Sequence, residues 1–226
     1  MVKAVVLFSG GLDSLLAIAI LRQQDIEVLA LSIATPFNDV SKRRKELKEL
    51  AKKLGANFRV VKAGREYVEL VKNPKFGYGR WLNPCIDCKI YMLKKAKEIK
   101  EREGYDLIAT GEVLGQRPMS QNFGALKRIE KESNLKGKLL RPLSALRLPP
   151  TLPEKTGIVD KSRLLGLIGR VRKPQLKMAT ELGLSGFSTP SGGCLLTDPN
   201  FSKRLKDLFS WKTKVTINDI ELLKVG

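Results

Sequence analysis

The sequence contains no histidine and only three cysteines, Cys85, Cys88 and Cys194. Without histidine, Ser-His-Asp catalysis, Cys-His catalysis and histidine-ligated metal sites are all excluded. An odd and small number of cysteines does not predict a disulfide framework in a reducing compartment. Metal binding or thiol chemistry is therefore the better interpretation of the three thiols.

Long hydrophobic runs are missing too. The apolar stretch from Val2 to Phe8 is too short and too soon interrupted for an export signal, and no segment approaches the length that spans a bilayer. We therefore expect a cytoplasmic protein. The 226 residues suit one α/β domain with a small appendage, and an apolar content of 42% is typical of a globular chain.

Acidic residues are scarce relative to basic ones. There are 42 Lys and Arg against 23 Asp and Glu, a net charge of +19, although residues 1–40 carry a net charge of −2. A surplus of this size favours a polyanionic partner, because Lys and Arg release the counterions of a phosphate backbone. A lysine-rich solubilising surface is the alternative.

Strand and helix patterns alternate along the chain. Val2–Phe8 is an apolar, β-branched run, and Leu12–Gln23 repeats apolar residues at helical spacing. Two further strands (Ile26–Ala34 and "NFRVVKA") flank the helix "KRRKELKELAKKLG", and Leu107–Thr110 is a later strand. This order predicts an α/β fold with a doubly wound parallel sheet. The closing segment, "INDIELLKVG", is strand-like.

The first strand ends in "SGGLDS", Ser9 to Ser14. A glycine turn between a buried strand and a helix can bind an anion, because the helix N-terminus offers free backbone N–H groups and a partial positive charge. Ser9 and Ser14 add hydroxyl groups, and the Asp13 carboxylate is a candidate ligand for Mg²⁺. Neither the usual P-loop pattern nor G-x-G-x-x-G occurs.

This turn resembles the PP-loop, S-G-G-x-D-S, of the N-type ATP pyrophosphatases. The resemblance implies an adenine nucleotide alpha hydrolase-like fold, in which the loop holds ATP and a substrate oxygen attacks the α-phosphate. AMP is transferred, pyrophosphate leaves, and a nucleophile displaces AMP. It also implies that Ser32 and Ile33 line the adenine pocket and that Gly111 and Gln116, in "TGEVLGQ", lie at the same edge. The implied ATP and Mg²⁺ contacts are Ser9, Gly10, Gly11, Asp13 and Ser14.

The cysteines form a C-x-x-C pair, Cys85 and Cys88, and a distant third thiol, Cys194. C-x-x-C alone does not distinguish metal binding from dithiol chemistry. Three thiolates suit a [4Fe-4S] cluster with one open iron, in departure from Cys₄ ligation. The alternatives are a cysteine pair that relays persulfide, a zinc site completed by Asp87 or Asp198, and plain buried thiols.

Three segments resemble the tRNA thiolation enzymes of the same superfamily. "NPC" resembles a segment of the 2-thiouridylases, whereas "TGEVLGQRPMSQ" and "LLRPL" resemble the 4-thiouridine synthases. The resemblance implies an ATP-dependent tRNA sulfurtransferase that adenylates a uridine carbonyl oxygen and replaces it with sulfur. Asp13 and the three cysteines would be its catalytic residues. We predict a PP-loop domain at 1–195 and a C-terminal extension at 196–226, the candidate start of a further element.

Residues 161–180 carry six basic side chains and no acidic one. We expect this segment to bind tRNA. A homodimer is one way to complete the RNA site. The sulfur must come from a separate donor. Its glycines and Pro174 argue against one uninterrupted helix. The six candidates for phosphate contacts are Lys161, Arg163, Arg170, Arg172, Lys173 and Lys177.

Two other functions remain open. An amide-forming PP-loop ligase acting on a small molecule would explain the loop equally well, but it leaves the cysteines and the charge without a role. A non-catalytic RNA-binding module would explain the charge but not the complete loop.

Overall fold

The structure, a computed structural model, describes residues 1–187 and 194–225. Within these residues, five parallel strands form one sheet in the order β3-β2-β1-β4-β5. Leu7 on β1 pairs with Leu31 on β2 and with Thr110 on β4, so these strands end at a common carboxyl edge. The predicted parallel sheet is confirmed. The strands are β1 (Lys3–Leu7), β2 (Glu27–Ala34), β3 (Asn57–Lys62), β4 (Leu107–Thr110) and β5 (Leu139–Leu140).

Helices cover both faces of the sheet. Successive β1 residues alternate between two cores: Ala4 and Val6 face one, Val5 and Leu7 the other. A strand buried on both faces is apolar throughout, which explains the uninterrupted run at the N-terminus. The α-helices in the described part of the chain are α1 (Leu12–Arg22), α2 (Arg44–Lys53), α3 (Arg65–Lys72), α4 (Cys85–Glu103), α5 (Phe123–Glu132), α6 (Leu152–Lys155), α7 (Lys173–Glu181), α8 (Pro199–Trp211) and α9 (Ile217–Leu222).

Each core is packed by its own set of helices. Helices α1, α2 and α7 contribute to the first core, and α3, α4, α5, α8 and α9 to the second. Within the described residues, no helix is both long and apolar enough to cross a bilayer.

The C-terminal segment differs from its sequence-based expectation. Residues 217–222 form α9 rather than a strand. The Thr216 hydroxyl accepts a hydrogen bond from the Asp219 N–H, and the Asp219 carboxylate accepts one from the Thr216 N–H. This reciprocal cap favours a helix start, and Ile220 is fully buried in the second core. The boundary at 195/196 stays a prediction.

Candidate functional site

The SGGLDS turn (Ser9–Ser14) connects β1 to α1. Gly11 is the N-cap residue of α1 and no side chain caps it, so the turn presents the helix N-terminus as an anion site requires. Gly10 has φ +74°, in the left-handed region where a side chain is strained. The local geometry therefore needs glycine at this position.

The two serines of the turn differ in environment. The Ser14 side chain is buried, and its hydroxyl donates to the Gly11 carbonyl at 2.8 Å. Ser9 is exposed, with its Oγ 3.4 Å from that of Ser14. Ser14 thus closes the turn, whereas Ser9 faces outward.

Asp13 lies between two side chains from distant segments. Gln116 Nε2 donates to Asp13 Oδ2 at 3.1 Å, and Arg172 Nη2 lies 3.6 Å from the same oxygen. The other carboxylate oxygen, Oδ1, is buried and has no hydrogen-bond partner among the described residues. A free carboxylate oxygen of this kind suits a hard cation such as Mg²⁺.

The end of β4 approaches the turn closely. A Cβ on Gly111 would collide with the backbone carbonyl of Asp13 and lie 2.7 Å from the Ser14 nitrogen. Because this contact is backbone against backbone, only glycine fits. The expected neighbourhood of Gly111, Gln116 and the turn is therefore present.

Ser32 and Ile33 lie near the end of β2 and are almost fully buried. The Ser32 hydroxyl donates to the Phe8 carbonyl at 2.6 Å, so it supports the backbone just before the turn. Their contact with adenine stays a prediction.

The three thiols lie at the same carboxyl edge, on two segments of the chain. Cys85 is the first residue of α4, and Cys88 follows one turn later. Cys194 is held beyond the end of β2 by an antiparallel bridge to Asn38. The residues before Cys194 in "SGGCLLTD", 191–193, lie outside the described residues. The buried Tyr67 hydroxyl, which the sequence did not single out, donates to Cys88 Sγ at 2.9 Å.

Burial raises the pKa of all three thiols. Burial is the largest cause of the raised pKa at Cys85 and at Cys88. It also raises the pKa of Cys194 to about 12, with a smaller contribution from the charge of Cys88. The Arg117 guanidinium opposes this shift by lowering the pKa of Cys85 and Cys194. The thiols are therefore near enough to influence each other, and they are protonated at neutral pH unless a ligand displaces the protons.

The described residues do not form a metal centre, and the predicted [4Fe-4S] cluster stays a prediction. Among residues 1–187 and 194–225, no group of three or more His, Cys, Asp or Glu side chains is arranged to hold a metal ion. The carboxylates considered for zinc have other partners: Asp87 accepts from the Lys75 and Phe76 N–H groups, and Asp198 caps α8. The donor set of three thiols has the right chemistry for a cluster, but its arrangement does not form one.

A cavity of about 460 Å³ opens beside Cys194. Its wall combines three basic side chains with two carboxylates: Lys42, Arg80, Lys224, Asp39 and Asp198. The thiol therefore lies next to a polar space large enough for a small substrate group.

A buried ionic network connects the segment after β4 to the cysteine helix α4, and sequence reasoning missed it. Glu112 and Arg141 are each 2% exposed and form an ion pair at 3.1 Å. Lys89, next to Cys88 on α4, lies 3.7 Å from Glu112, and Glu130 pairs with Arg141. Both Glu112 and Arg141 occur within the motifs "TGEVLGQ" and "LLRPL", which was the available signal.

The charges of the network determine the ionisation of Glu112. Desolvation alone would raise its pKa, but Lys89, Arg141 and the Thr110 hydroxyl outweigh burial and hold the pKa below the usual value of a glutamate. Glu112 therefore stays ionised at neutral pH inside the protein.

We predict that Arg141→Ala lowers the free energy of unfolding by about 3–5 kcal/mol, because it removes the closer of the two cations that face the buried Glu112 carboxylate and leaves only Lys89, at 3.7 Å. Urea denaturation measures this change. The control Arg102→Ala removes an exposed ion pair with Glu103 and should change the free energy by less than about 1 kcal/mol. Equal effects of the two substitutions would contradict the importance of the network.

The same network predicts acid sensitivity. Because the pKa of Glu112 is lower in the folded than in the unfolded state, it stabilises the protein at pH values above the unfolded-state pKa, and this contribution is lost as the pH falls through the folded-state pKa. Glu112→Gln should remove this component from the pH dependence of unfolding.

The basic segment is divided in the structure. Lys161, Arg163, Arg170, Lys173 and Lys177 are exposed. Arg172 is 22% exposed and faces Asp13 instead of lying on the open surface. Of the six basic residues expected to contact RNA, Arg172 is therefore the exception. A run of basic residues in a sequence does not reveal which side chains point into the protein. The expected interruption is present, with α7 beginning only at Lys173.

The sequence is similar to a known protein family and to several curated proteins. Residues 1–149 match the model of the family described as "Thiamine biosynthesis protein (ThiI)". The chain is 30% identical over 167 residues to a probable tRNA sulfurtransferase of Thermococcus kodakarensis, covering 73% of this chain and 41% of that protein. A tRNA sulfurtransferase of Desulfurococcus amylolyticus is 28% identical over 170 residues, covering 73% of this chain and 33% of that one. The chain thus spans less than half the length of these curated relatives.

A solved structure shares the fold. It is a 4-thiouridine synthetase–RNA complex with bound ATP, 20% identical, with a TM-score of 0.51, covering 99% of this chain and 52% of that one. The predicted PP-loop fold class is confirmed. With the SGGLDS turn, the neighbouring glutamine and the parallel sheet in place, and the family model matching 149 of the 226 residues, the chain belongs to the ThiI family.

Proposed function

We propose that this protein is an ATP-dependent tRNA sulfurtransferase that replaces a uridine carbonyl oxygen with sulfur. The observation that carries the proposal is the presence of the SGGLDS turn and all three cysteines at one carboxyl edge of the sheet. Ligands of open α/β sheets bind at this edge. ATP activation and sulfur delivery can then occur at the same substrate.

The ATP site consists of the turn and the helix it begins. Ser9, Gly10, Gly11 and Ser14 would bind the phosphates through backbone and hydroxyl groups. Asp13, with its unpartnered Oδ1, would hold Mg²⁺, which bridges phosphate oxygens and neutralises their charge. Gly111 and Gln116 would complete the phosphate-binding side of the ATP site, and Ser32 and Ile33 would lie beside the adenine.

The reaction then proceeds in two displacements. The uridine carbonyl oxygen attacks the α-phosphorus of ATP, a P–O bond forms, and pyrophosphate leaves. A sulfur nucleophile next attacks the activated carbon, and AMP leaves with the original oxygen. Sulfur from an external donor would reach the base through Cys85, Cys88 and Cys194.

The form in which the cysteines carry sulfur belongs to the same proposal. Three thiols and no histidine favour a [4Fe-4S] cluster over zinc, but the present arrangement does not fit a metal, and we derive no step through one. Persulfide on a cysteine is the form that needs no metal. A persulfide donor would supply its outer sulfur, a second cysteine would attack the inner sulfur and release the outer one to the activated carbon, and a thiol reductant would reduce the resulting disulfide. Iron and sulfide content of anaerobically purified protein distinguishes the two.

The exposed cations of residues 161–177 would bind the tRNA backbone, and a homodimer would extend this surface. The reducing cytoplasm suits the free thiols. An amide-forming ligase is not favoured, because it gives neither the thiols nor the +19 charge a role.

The test combines purified protein, Mg-ATP and an unmodified tRNA transcript with one of two sulfur donors: sulfide, or a small-molecule persulfide together with a thiol reductant, because sulfide cannot form a cysteine persulfide without an oxidant. We expect equal amounts of pyrophosphate and thiouridine, the latter measured by mass spectrometry of digested nucleosides. Pyrophosphate release that needs ammonia but no RNA would favour the ligase. RNA binding without any pyrophosphate release would favour a non-catalytic module.

A further inference from the structure

Arg172 is set apart from the other basic residues of its segment. Its side chain is 22% exposed and its guanidinium lies 3.6 Å from Asp13, at the nucleotide turn. Asp13 is itself mostly buried, with 21% of its side chain exposed. Arg172 is therefore positioned toward the phosphate site, and RNA on the outer surface would meet the five exposed cations instead.

The segment that carries Arg172 is fixed to the wall of the same site. The Gly169 N–H donates to the Leu114 carbonyl at 2.7 Å, and Leu114 forms a parallel bridge with Ile168. Gly115, between these contacts and Gln116, has φ +77°, in the left-handed region that favours glycine. The segment is thus attached two residues before Gln116, the other side chain that contacts Asp13.

The Asp13–Arg172 pair leaves hydrogen-bonding groups unused. In the described part of the chain, Arg172 Nε and Asp13 Oδ1 are both buried without a hydrogen-bond partner. At 3.6 Å the pair is also longer than a charge-assisted hydrogen bond, which spans about 2.7–2.9 Å. Buried polar groups of this kind are costly unless a ligand satisfies them.

We propose that Arg172 is an ATP-binding residue that exchanges Asp13 for the polyphosphate of ATP. A guanidinium presents several N–H donors in a plane and binds phosphate oxygens in pairs. When ATP enters, Asp13 turns to the bound cation and Arg172 donates to phosphate oxygens. The inference rests on the proposed function insofar as the SGGLDS turn binds ATP, and it adds a positioning contact from outside that turn.

The test measures equilibrium binding to the whole chain. Titration calorimetry gives the affinities of wild type, Arg172→Ala and Arg172→Lys for Mg-ATP and for Mg-pyrophosphate. Filter binding gives their affinities for an unmodified tRNA transcript. Arg170→Ala, an exposed arginine two residues away, serves as the reciprocal variant. Thermal unfolding checks that each variant is folded.

We expect Arg172→Ala to weaken Mg-ATP binding by about 10- to 100-fold, with an intermediate loss for Arg172→Lys, because lysine keeps the charge but not the paired donors. The tRNA affinity of Arg172→Ala should stay within about twofold of wild type. Arg170→Ala should instead weaken tRNA binding and leave ATP binding unchanged. The Lys variant keeps the test available if Arg172→Ala does not fold.

Two results would overturn the inference. Unchanged or tighter ATP binding by Arg172→Ala would mean that the arginine only neutralises Asp13. Weaker tRNA binding by Arg172→Ala, with normal ATP affinity, would mean that Arg172 binds RNA and not ATP. Failure of the proposed function looks different: wild type would bind no Mg-ATP if the SGGLDS turn is not a nucleotide site, and it would bind Mg-ATP but form no thiouridine if the protein is not a sulfurtransferase.

Discussion

Asp13→Ala should lower ATP-dependent pyrophosphate release by about 10²–10³-fold, the range measured when one preorganised electrostatic group is removed from a reacting centre. Asp13 is the acidic side chain of the SGGLDS turn, and its Oδ1 lacks a hydrogen-bond partner among the described residues. Its loss would leave the cation without its carboxylate ligand. Release of labelled pyrophosphate in the presence of tRNA measures the effect.

Two further variants sharpen this experiment. Asp13→Asn keeps the size of the side chain and removes its charge, so a similar loss would identify charge as the cause. Asp207→Ala removes an exposed acid on α8, on the second core's side of the sheet, and should leave the rate unchanged. Full activity of Asp13→Ala would show that the turn does not hold ATP in the way proposed.

Serine at any of the three cysteine positions should abolish thiouridine formation. Ser is close to Cys in shape, but its oxygen neither carries persulfide nor replaces a thiolate ligand. Pyrophosphate release should stay within about threefold of wild type, because the cysteines lie on α4 and beyond β2, outside the SGGLDS turn. Nucleoside mass spectrometry and the pyrophosphate assay on the same reaction measure both quantities.

The separation of the two activities is the decisive feature. Thiouridine made at the normal rate by Cys85→Ser, Cys88→Ser and Cys194→Ser would remove the cysteines from sulfur transfer. Loss of both activities together would indicate damage to the fold, which thermal unfolding would detect. Tyr67→Phe offers a milder change, since it removes only the hydroxyl that donates to Cys88.

Much of the fold followed from local patterns. The parallel sheet was predictable because a strand buried on both faces must be apolar throughout, as β1 is. The closing segment was not, because its short apolar run suits either a strand or a helix. The Thr216–Asp219 cap and burial in the second core decide for the helix α9.

The candidate site divides in the same way. The nucleotide turn could be predicted because its residues lie within one short stretch of sequence, Gly10 to Ser14. Cys194 lies more than 100 residues from Cys85, and its place beyond β2 depends on a bridge to Asn38. Contacts between distant segments of this kind leave no periodic pattern to read.

The amino-acid order alone specified the α/β class, the nucleotide turn and the set of thiols, because each depends on residues close together or on composition. Tertiary structure decided the partners: Arg172 against Asp13, Glu112 against Arg141, and Tyr67 against Cys88. The physical reason is that charge and hydrogen-bonding capacity belong to the residue. Which groups are desolvated, and what faces them, depends on how the sheet brings distant segments together.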